Sequence, residues 1–207
     1  MLQVLGRSTS INVRKVLWLC AELNLHCAHE EWGAGDLSTR TDAFKALNPN
    51  GLVPVITDGD FVLWASNVIC RYLAALHGRE DLLSIDLRQR AVVEQWMDWQ
   101  TTDLNNSWRY AFLALVRKTA TYTDPQAIEA SAANWARHMR ILEAQLQRTG
   151  AFVAGSEFTL ADIVLGLSTH RWFMTPVERP HLPAVVEFYE RLSTRPAFMK
   201  HGRNGVP

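Results

Sequence analysis

Residues 48–59 of the chain read Asn-Pro-Asn-Gly-Leu-Val-Pro-Val-Ile-Thr-Asp-Gly and carry the strongest structural signal of the sequence. The first four residues are concentrated turn formers, which end a short helical turn predicted at Phe44–Leu47. Two apolar segments, Val53–Thr57 and Phe61–Trp64, flank Asp58-Gly59, and this arrangement predicts a β-hairpin. Pro54 cannot donate a hydrogen bond to a strand ladder, so it lies at the mouth of a strand or at a sheet edge.

The pattern around the hairpin predicts an α/β domain over residues 1–78. A strand at Leu2–Leu5 precedes apolar residues at helical spacing after Asn12, and a second strand is predicted around Cys27–Trp32. Ser66 caps a further helix that ends near Gly78. The predicted order is β-α-β-α-β-β-α, in which the first two strands run parallel with a right-handed crossover and the hairpin completes a small mixed sheet.

After the charged connector 77–86, the strand signals end and only helical periodicity remains. Helices are predicted at Leu87–Val116, Asp124–Thr149, Leu160–Phe173 and Leu182–Leu192. Thr159 and Asp162 have the spacing of a capping box, which marks the start of a helix. Residues 87–207 are therefore predicted to form an all-α domain.

The composition argues against several classes of protein. The chain has 207 residues with 21 basic and 21 acidic side chains, and the lack of a basic excess argues against a nucleic-acid partner. No apolar run reaches the roughly 18 residues that span a bilayer, and the N-terminus lacks a signal-peptide pattern, so we expect a cytoplasmic protein. We interpret Cys20, Cys27 and Cys70 as buried, reduced thiols. The histidines lack metal-ligand spacing, so no metal is expected.

Three positions in the first domain suit a ligand. Ser10 and Asn12 lie at the start of the first helix. One interpretation is that they stabilise a bound thiolate or oxyanion, and the other is that they only cap the helix. A cis bond before Pro54 would turn the backbone of Val53 toward an extended ligand, whereas a trans proline at a sheet edge is the alternative. Ser66 either binds a carboxylate or caps its helix.

Taken together, three segments resemble the glutathione transferase family: Ser10–Lys15, Asn48–Val55 and Leu63–Leu73. In the second half, the segments Trp96–Gln100, Phe158–Ile163 and Arg195–Phe198 resemble the helical domain of that family, so the resemblance covers the whole chain. The Ser/Asn pairing, without an early tyrosine, is similar to the theta-like or nu-like bacterial groups. The resemblance implies a thioredoxin-like N-terminal domain that binds glutathione as co-substrate, joined to an all-α domain with an electrophile pocket.

Carried over by position, the resemblance implies that Ser10 donates a hydrogen bond to the glutathione sulfur, with Asn12 sharing or replacing it. Such a donor and the helix start favour the thiolate, which is the nucleophile. Ser66 would bind the γ-glutamyl carboxylate, and the backbone of Val53 would pair with the cysteine of glutathione. The implied glutathione-binding set is Leu52, Val53, Pro54, Ala65, Ser66 and Asp103.

Two departures from the family pattern qualify this assignment. Leu52 stands where lysine is common in the family, and Ala65 where glutamate or glutamine is usual. Asp103 would reach the glutamyl ammonium only across a homodimer, in which Arg71 would meet Glu94 or Asp98 of the partner subunit. The electrophile pocket would be walled by Trp108, Phe112 and Trp172, although these residues also suit a core. Arg109 either orients an anionic substrate or is a solvated surface side chain.

We therefore expect a glutathione transferase that forms a thiolate for attack on a small hydrophobic electrophile or on a disulfide. The alternative is a non-catalytic protein of the same architecture that carries a ligand or partner. The residues nearest the sulfur favour the enzyme, whereas Leu52 and Ala65 favour the binding protein.

Overall fold

The computed structural model describes residues 1–207, of which the first 76 contain a four-stranded mixed sheet and three helices. The strands form one sheet in the order β2-β1-β3-β4, with β2 parallel to β1 and the other neighbours antiparallel. The predicted element order and mixed sheet are thus confirmed. The elements are β1 (Gln3–Leu5), α1 (Ile11–Glu22), β2 (Ala28–Glu30), α2 (Asp42–Leu47), β3 (Val55–Asp58), β4 (Phe61–Trp64) and α3 (Ser66–Leu76).

The remainder of the chain is helical, as predicted, and none of its helices combines the length and apolar character that crossing a bilayer requires. The single helix predicted at Leu87–Val116 is wrong, because a π-helical segment, Gln100–Leu104, interrupts it. Such wide turns are frequent at functional sites. The helices are α4 (Leu87–Trp99), α5 (Asn105–Leu115), α6 (Pro125–Thr149), α7 (Leu160–Met174), α8 (Pro183–Ser193) and α9 (Pro196–His201).

Helix α7 starts at the predicted capping box. The Asp162 carboxylate accepts hydrogen bonds from the backbone N–H groups of Thr159 (2.7 Å) and Val153 (2.8 Å). These bonds satisfy donors that a helix start otherwise leaves free. Asp162 therefore has a structural role, as the sequence predicts.

Helix α1 joins the sheet to the helical half. Its Trp18 is fully buried against Phe158 and Phe198, with ring centroids 5.9 and 4.8 Å away. At the end of α1, the Glu22 carboxylate forms an ion pair with Arg195, with Nη2 and Oε2 2.7 Å apart. These contacts fix the position of α1, and hence of the residues at its start.

The three cysteines differ in exposure. Cys20 and Cys70 are buried, as expected, whereas Cys27 is only half-buried. A hydrogen bond with the Cys20 thiol lowers the pKa of Cys27 to about 6. The interpretation of Cys27 as a buried thiol is therefore wrong.

Candidate active site

One cavity of about 360 Å³ lies where α1, the loop before β3 and α3 meet, and its size suits a small ligand. A wider groove of about 780 Å³ lies elsewhere, between the connector and the loop 154–159, and contains none of the predicted site residues. Six of the predicted residues line the smaller cavity: Asn12, Leu52, Val53, Pro54, Ala65 and Ser66.

The start of α1 is left uncapped by its own side chains. Ser10 occupies the N-cap position, but its hydroxyl accepts no hydrogen bond from the first turn. The interpretation of Ser10 as only a helix cap is therefore wrong. Both the hydroxyl and the first N–H groups of α1 remain available to a ligand, and the helix dipole there favours an anion.

The loop before β3 presents free backbone groups to the same cavity. The Val53–Pro54 peptide bond is cis, so the alternative of a trans proline at a sheet edge is wrong. Neither the N–H nor the C=O of Val53 bonds to another protein group. The loop is held by Asn48, whose side chain donates to the Leu52 carbonyl (2.7 Å) and accepts from the Asn50 N–H (3.1 Å). An extended peptide is the natural partner for such an exposed N–H and C=O pair.

Gly6, at the end of β1, allows the two loops to approach each other. A Cβ atom at Gly6 would lie 2.6 Å from Val13 Cγ2 and 2.8 Å from Val53 Cβ, and its φ is +149°. Only glycine fits this conformation and this space. The absence of a side chain at Gly6 therefore lets the start of α1 and the Val53 loop lie close together.

The start of α3 is also uncapped. Ser66 is its first residue rather than its cap, so the predicted cap is wrong; Ala65 takes the cap position with φ 71° and has no side-chain acceptor. By contrast, Asp86 and Asp124 cap α4 and α6 with their carboxylates. The N–H groups of the first turn of α3 therefore need an acceptor from outside the helix, and a carboxylate suits them.

Beneath the cavity lies Lys15, which sequence reasoning did not single out. Its side chain is 1% exposed, and Nζ donates to Asn67 Oδ1 (3.0 Å) and Gln100 Oε1 (2.7 Å), with no carboxylate partner. Burial, together with the charges of Arg171 and Arg71, lowers the pKa of Lys15 to about 7, against a smaller opposing effect of Cys70. An anion in the cavity would favour the charged ammonium.

The far wall of the cavity is polar and was also missed by sequence reasoning. Arg71 pairs with Asp98, and its Nε lies 3.5 Å from Glu94 Oε1 of the same chain. Thr101 and Asn105 complete this wall. These residues come from α3, α4, the π-helical segment and α5, so only tertiary packing brings them to one cavity.

The other predicted site residues are not part of the cavity lining, and these include Ser10, which lies two positions before the lining residue Asn12. Asp103 is exposed and accepts a hydrogen bond from the Thr102 hydroxyl (2.7 Å). Trp108 and Phe112 are neighbours on α5, with ring centroids 5.4 Å apart. Trp172 is 1% exposed and packs against Trp135 in the core. The structure thus brings Trp108 and Phe112 together, but both are buried as well (8% and 3% exposed), and Trp135 packs against both Trp108 and Trp172.

The chain is similar to known proteins in both of its halves. The N-terminal and C-terminal domain profiles of glutathione S-transferases match residues 9–76 and 125–192. Glutathione S-transferase GstB of Escherichia coli K12 is 37% identical over 97% of each chain, and glutathione S-transferase 3 of Zea mays is 32% identical over 96% of this chain and 92% of the relative.

Solved structures give the same result. A theta-class glutathione S-transferase from Xanthomonas axonopodis pv. citri, determined with glutathione bound, superimposes with a TM-score of 0.90 at 36% identity, over 97% of this chain and 96% of the other. The two-domain architecture, a thioredoxin-like sheet domain followed by a helical domain, is shared throughout. The chain belongs to the glutathione S-transferase family.

Proposed function

We propose that the cavity between α1, the Val53 loop and α3 binds glutathione and converts its thiol to a thiolate. The observation that carries this proposal is the convergence of two uncapped helix starts and the unbonded backbone of Val53 on one cavity. A tripeptide with a carboxylate at one end and a thiol in the middle matches these three groups. The relative with glutathione bound supports the same ligand.

Each end of the ligand has a partner of suitable chemistry. Ser66 and the first turn of α3 would hold the γ-glutamyl carboxylate, and Val53 would pair with the cysteinyl backbone. Ser10 or Asn12 would donate to the sulfur at the start of α1. A free thiol has a pKa of about 8.5, and such donors lower it, so that the proton leaves for solvent at neutral pH.

The thiolate would then attack the second substrate. With a carbon electrophile, a C–S bond forms and the leaving group departs with the bonding electron pair. With a disulfide, the thiolate forms a new S–S bond and releases the other sulfur as a thiolate. Trp108 and Phe112 would wall this second site, with Trp172 joined to Trp108 through Trp135, and residues 1–78 and 87–207 would form the two domains.

We also propose a homodimer that is formed through α3 and α4. Val68 and Leu76 on α3 are 45% and 53% exposed, and Leu87 at the start of α4 is 79% exposed, which gives both elements uncovered apolar surface. Arg71 already pairs with Asp98 and Glu94 of its own chain, so the expected pairing across the twofold axis is not required. A monomeric mass by light scattering at micromolar concentration would exclude the dimer and the contribution of Asp103.

The proposed function is tested by turnover with glutathione and either 1-chloro-2,4-dinitrobenzene or a mixed hydroxyethyl disulfide. Removing one oxyanion-hole donor from a hydrolase lowers kcat by roughly 10²- to 10³-fold, so Ser10→Ala or Asn12→Ala, which removes a comparable donor to the sulfur, should lower kcat/KM by at least tenfold. Ser8→Ala, in the same loop, is the matched control. Loss with Asn12→Ala alone would assign the sulfur contact to Asn12. If both variants retain full turnover, the thiol site is wrong, and retention on immobilised glutathione without turnover would favour a binding protein.

A further inference from the structure

Three arginines gather beside the aromatic pair of α5. Arg14 comes from α1, Arg171 from α7, and Arg117 follows α5; we call them the arginine cluster. Arg171 lies over Phe112 and Trp108, with its guanidinium carbon 4.0 and 4.6 Å from the ring centroids. Arg117 lies 5.6 Å from the Phe112 centroid. The cluster therefore faces the rings proposed to wall the second substrate site.

Two members of the cluster are buried without adequate partners. Arg14 is 1% exposed and Arg171 is 4% exposed. Arg14 donates through Nη1 to Val206 O (2.6 Å), Asn204 Oδ1 (3.1 Å) and Gly202 O (3.5 Å), but its Nε and Nη2 bond to nothing. Arg171 donates no hydrogen bond to the protein, and its Nε is also unpartnered and buried. Buried donors are normally satisfied, so these atoms require an explanation.

No carboxylate neutralises the cluster. The structure contains six arginine–carboxylate ion pairs, which involve Arg71, Arg79, Arg90, Arg195 and Arg203 but none of the three arginines of the cluster. Guanidinium groups stay charged at neutral pH, and burying like charges together without a counter-ion is unfavourable. The protein does not supply the missing negative charge itself.

Burial and the neighbouring positive charges both disfavour the charged guanidinium groups of the cluster. Burial, followed by the charges of Arg14 and Arg117, lowers the pKa of Arg171 to about 9. Burial and Arg117 lower the pKa of Arg14 to about 10. An anion bound among the three side chains would relieve both effects.

The cluster lies beside the proposed thiol site. Arg117 Nη2 approaches the Thr9 carbonyl oxygen (3.4 Å), and Thr9 directly precedes Ser10. Arg117 is exposed, whereas Arg171 and Arg14 lie deeper. A ligand anion that enters at Arg117 would therefore remain close to a sulfur held at Ser10 or Asn12.

We propose that the arginine cluster is the anion-binding part of the second substrate site, so that the preferred electrophile carries a carboxylate or a similar anionic group. The inference rests on the proposed function and narrows its substrate class. The aromatic rings would contact the apolar part of the substrate, and the cluster would hold its anion. The charge complementarity supplies specificity that apolar walls alone do not.

A matched pair of aryl chlorides tests the proposal: 4-chloro-3-nitrobenzoate and its neutral analogue of nearly equal size, 4-chloro-3-nitrobenzamide. In both reactions the glutathione thiolate attacks the ring carbon that bears chlorine, the C–S bond forms, and chloride leaves with the electron pair of the broken bond. Because the two rings differ in intrinsic reactivity, each kcat/KM is divided by the rate constant of the uncatalysed reaction with glutathione at the same pH.

The expected normalised preference for the benzoate is at least tenfold in the unaltered protein. Arg117→Gln, at an exposed position that does not threaten folding, should reduce this preference at least fivefold, and Arg171→Gln should reduce it further. Arg109→Gln is the matched control, because Arg109 is exposed on α5 and forms no ion pair. It should leave the preference as it is.

The outcomes separate this inference from the proposed function. Equal normalised rates for the two compounds would overturn the anion site while leaving the transferase activity intact. If neither compound reacts, quenching of tryptophan fluorescence by the two compounds decides the matter, because Trp108 adjoins Arg171. Stronger binding of the benzoate that Arg117→Gln abolishes would support the anion site, and equal binding would overturn it.

Discussion

Ala65 combines an exposed side chain with a backbone conformation that few residues adopt. Its φ of 71° places the start of α3 at the cavity, where a longer side chain would extend toward a bound ligand. Strained residues of this kind persist where the surroundings fix them, and they concentrate at functional sites. The methyl group of alanine leaves a ligand ammonium group without a charged partner at this position.

Ala65→Glu should tighten glutathione binding. A carboxylate there would accept a charge-assisted hydrogen bond from the glutamyl ammonium, worth about 1 kcal/mol in an open cleft, which is roughly fivefold in Kd. Titration calorimetry measures the change, and Ala65→Gln, which keeps the size but not the charge, should give a smaller gain. Unchanged affinity would mean that another carboxylate, such as Asp98, already serves the ammonium.

Lys15 should make binding depend on pH. Its folded-state pKa of about 7 lies below the ordinary 10.5, so the free protein loses this proton as pH rises through neutrality. A bound carboxylate favours the ammonium and raises that pKa, so binding takes up a proton and weakens as pH increases. For S-methylglutathione, whose sulfur does not titrate, we expect about fivefold weaker binding at pH 8 than at pH 6.5.

Calorimetry in two buffers of different ionisation enthalpy measures that proton uptake directly. Arg71 and Asp98 also line the cavity, so Lys15→Met is the variant that isolates the lysine, and the effect should disappear in it. A flat pH profile without proton uptake in the unaltered protein would remove Lys15 from the ligand site.

At the scale of elements, the site depends on how closely the turn after β1 approaches the Val53 loop. A methyl group at Gly6 would clash with Val13 and Val53 at 2.6 and 2.8 Å. Overpacking of this kind typically costs about 1–3 kcal/mol. Gly6→Ala should therefore lower the free energy of unfolding by about 2 kcal/mol and weaken glutathione binding, because the Val53 backbone must move.

Gly59→Ala provides the control for Gly6→Ala. Gly59 also has a positive φ, +64°, but a Cβ there meets nothing within 4 Å. It should lower stability by about 1 kcal/mol through backbone strain alone and leave glutathione affinity unchanged. Equal losses of affinity in the two variants would contradict the role given to the Gly6 contact. Chemical denaturation and calorimetry supply both measurements.

The elements also show which features a sequence pattern can reveal. Hairpin residues, apolar periodicity and a capping box are local signals, and each was confirmed. The π-helical segment has no local signal, because the apolar stripe of the helix continues on both sides of Gln100. What distinguishes Gln100 is a hydrogen bond to Lys15, which is 85 positions away in the chain. The cap of α3 was assigned to Ser66 because local preference favours serine over an alanine with positive φ.

At the scale of the whole molecule, the two halves are held together through α1. Trp18 packs into the helical half, and a Cβ at Gly166 of α7 would lie 3.0 Å from its ring. The same helix contributes Ser10 and Asn12 at its start, Arg14 to the arginine cluster and Lys15 to the cavity floor. Such juxtapositions arise only from tertiary packing, so the sequence predicts Ser10 and Asn12 as candidates for the thiol site but neither the buried lysine nor the cluster.

The central claim is that the protein lowers the pKa of the glutathione thiol, and the ultraviolet absorbance of the bound thiolate tests it most directly. A pH titration of the complex should give an apparent thiol pKa at least one unit below the roughly 8.5 of a free thiol. Ser10→Ala or Asn12→Ala should return it toward that value. A bound thiol that titrates like the free one in the unaltered protein would contradict the account.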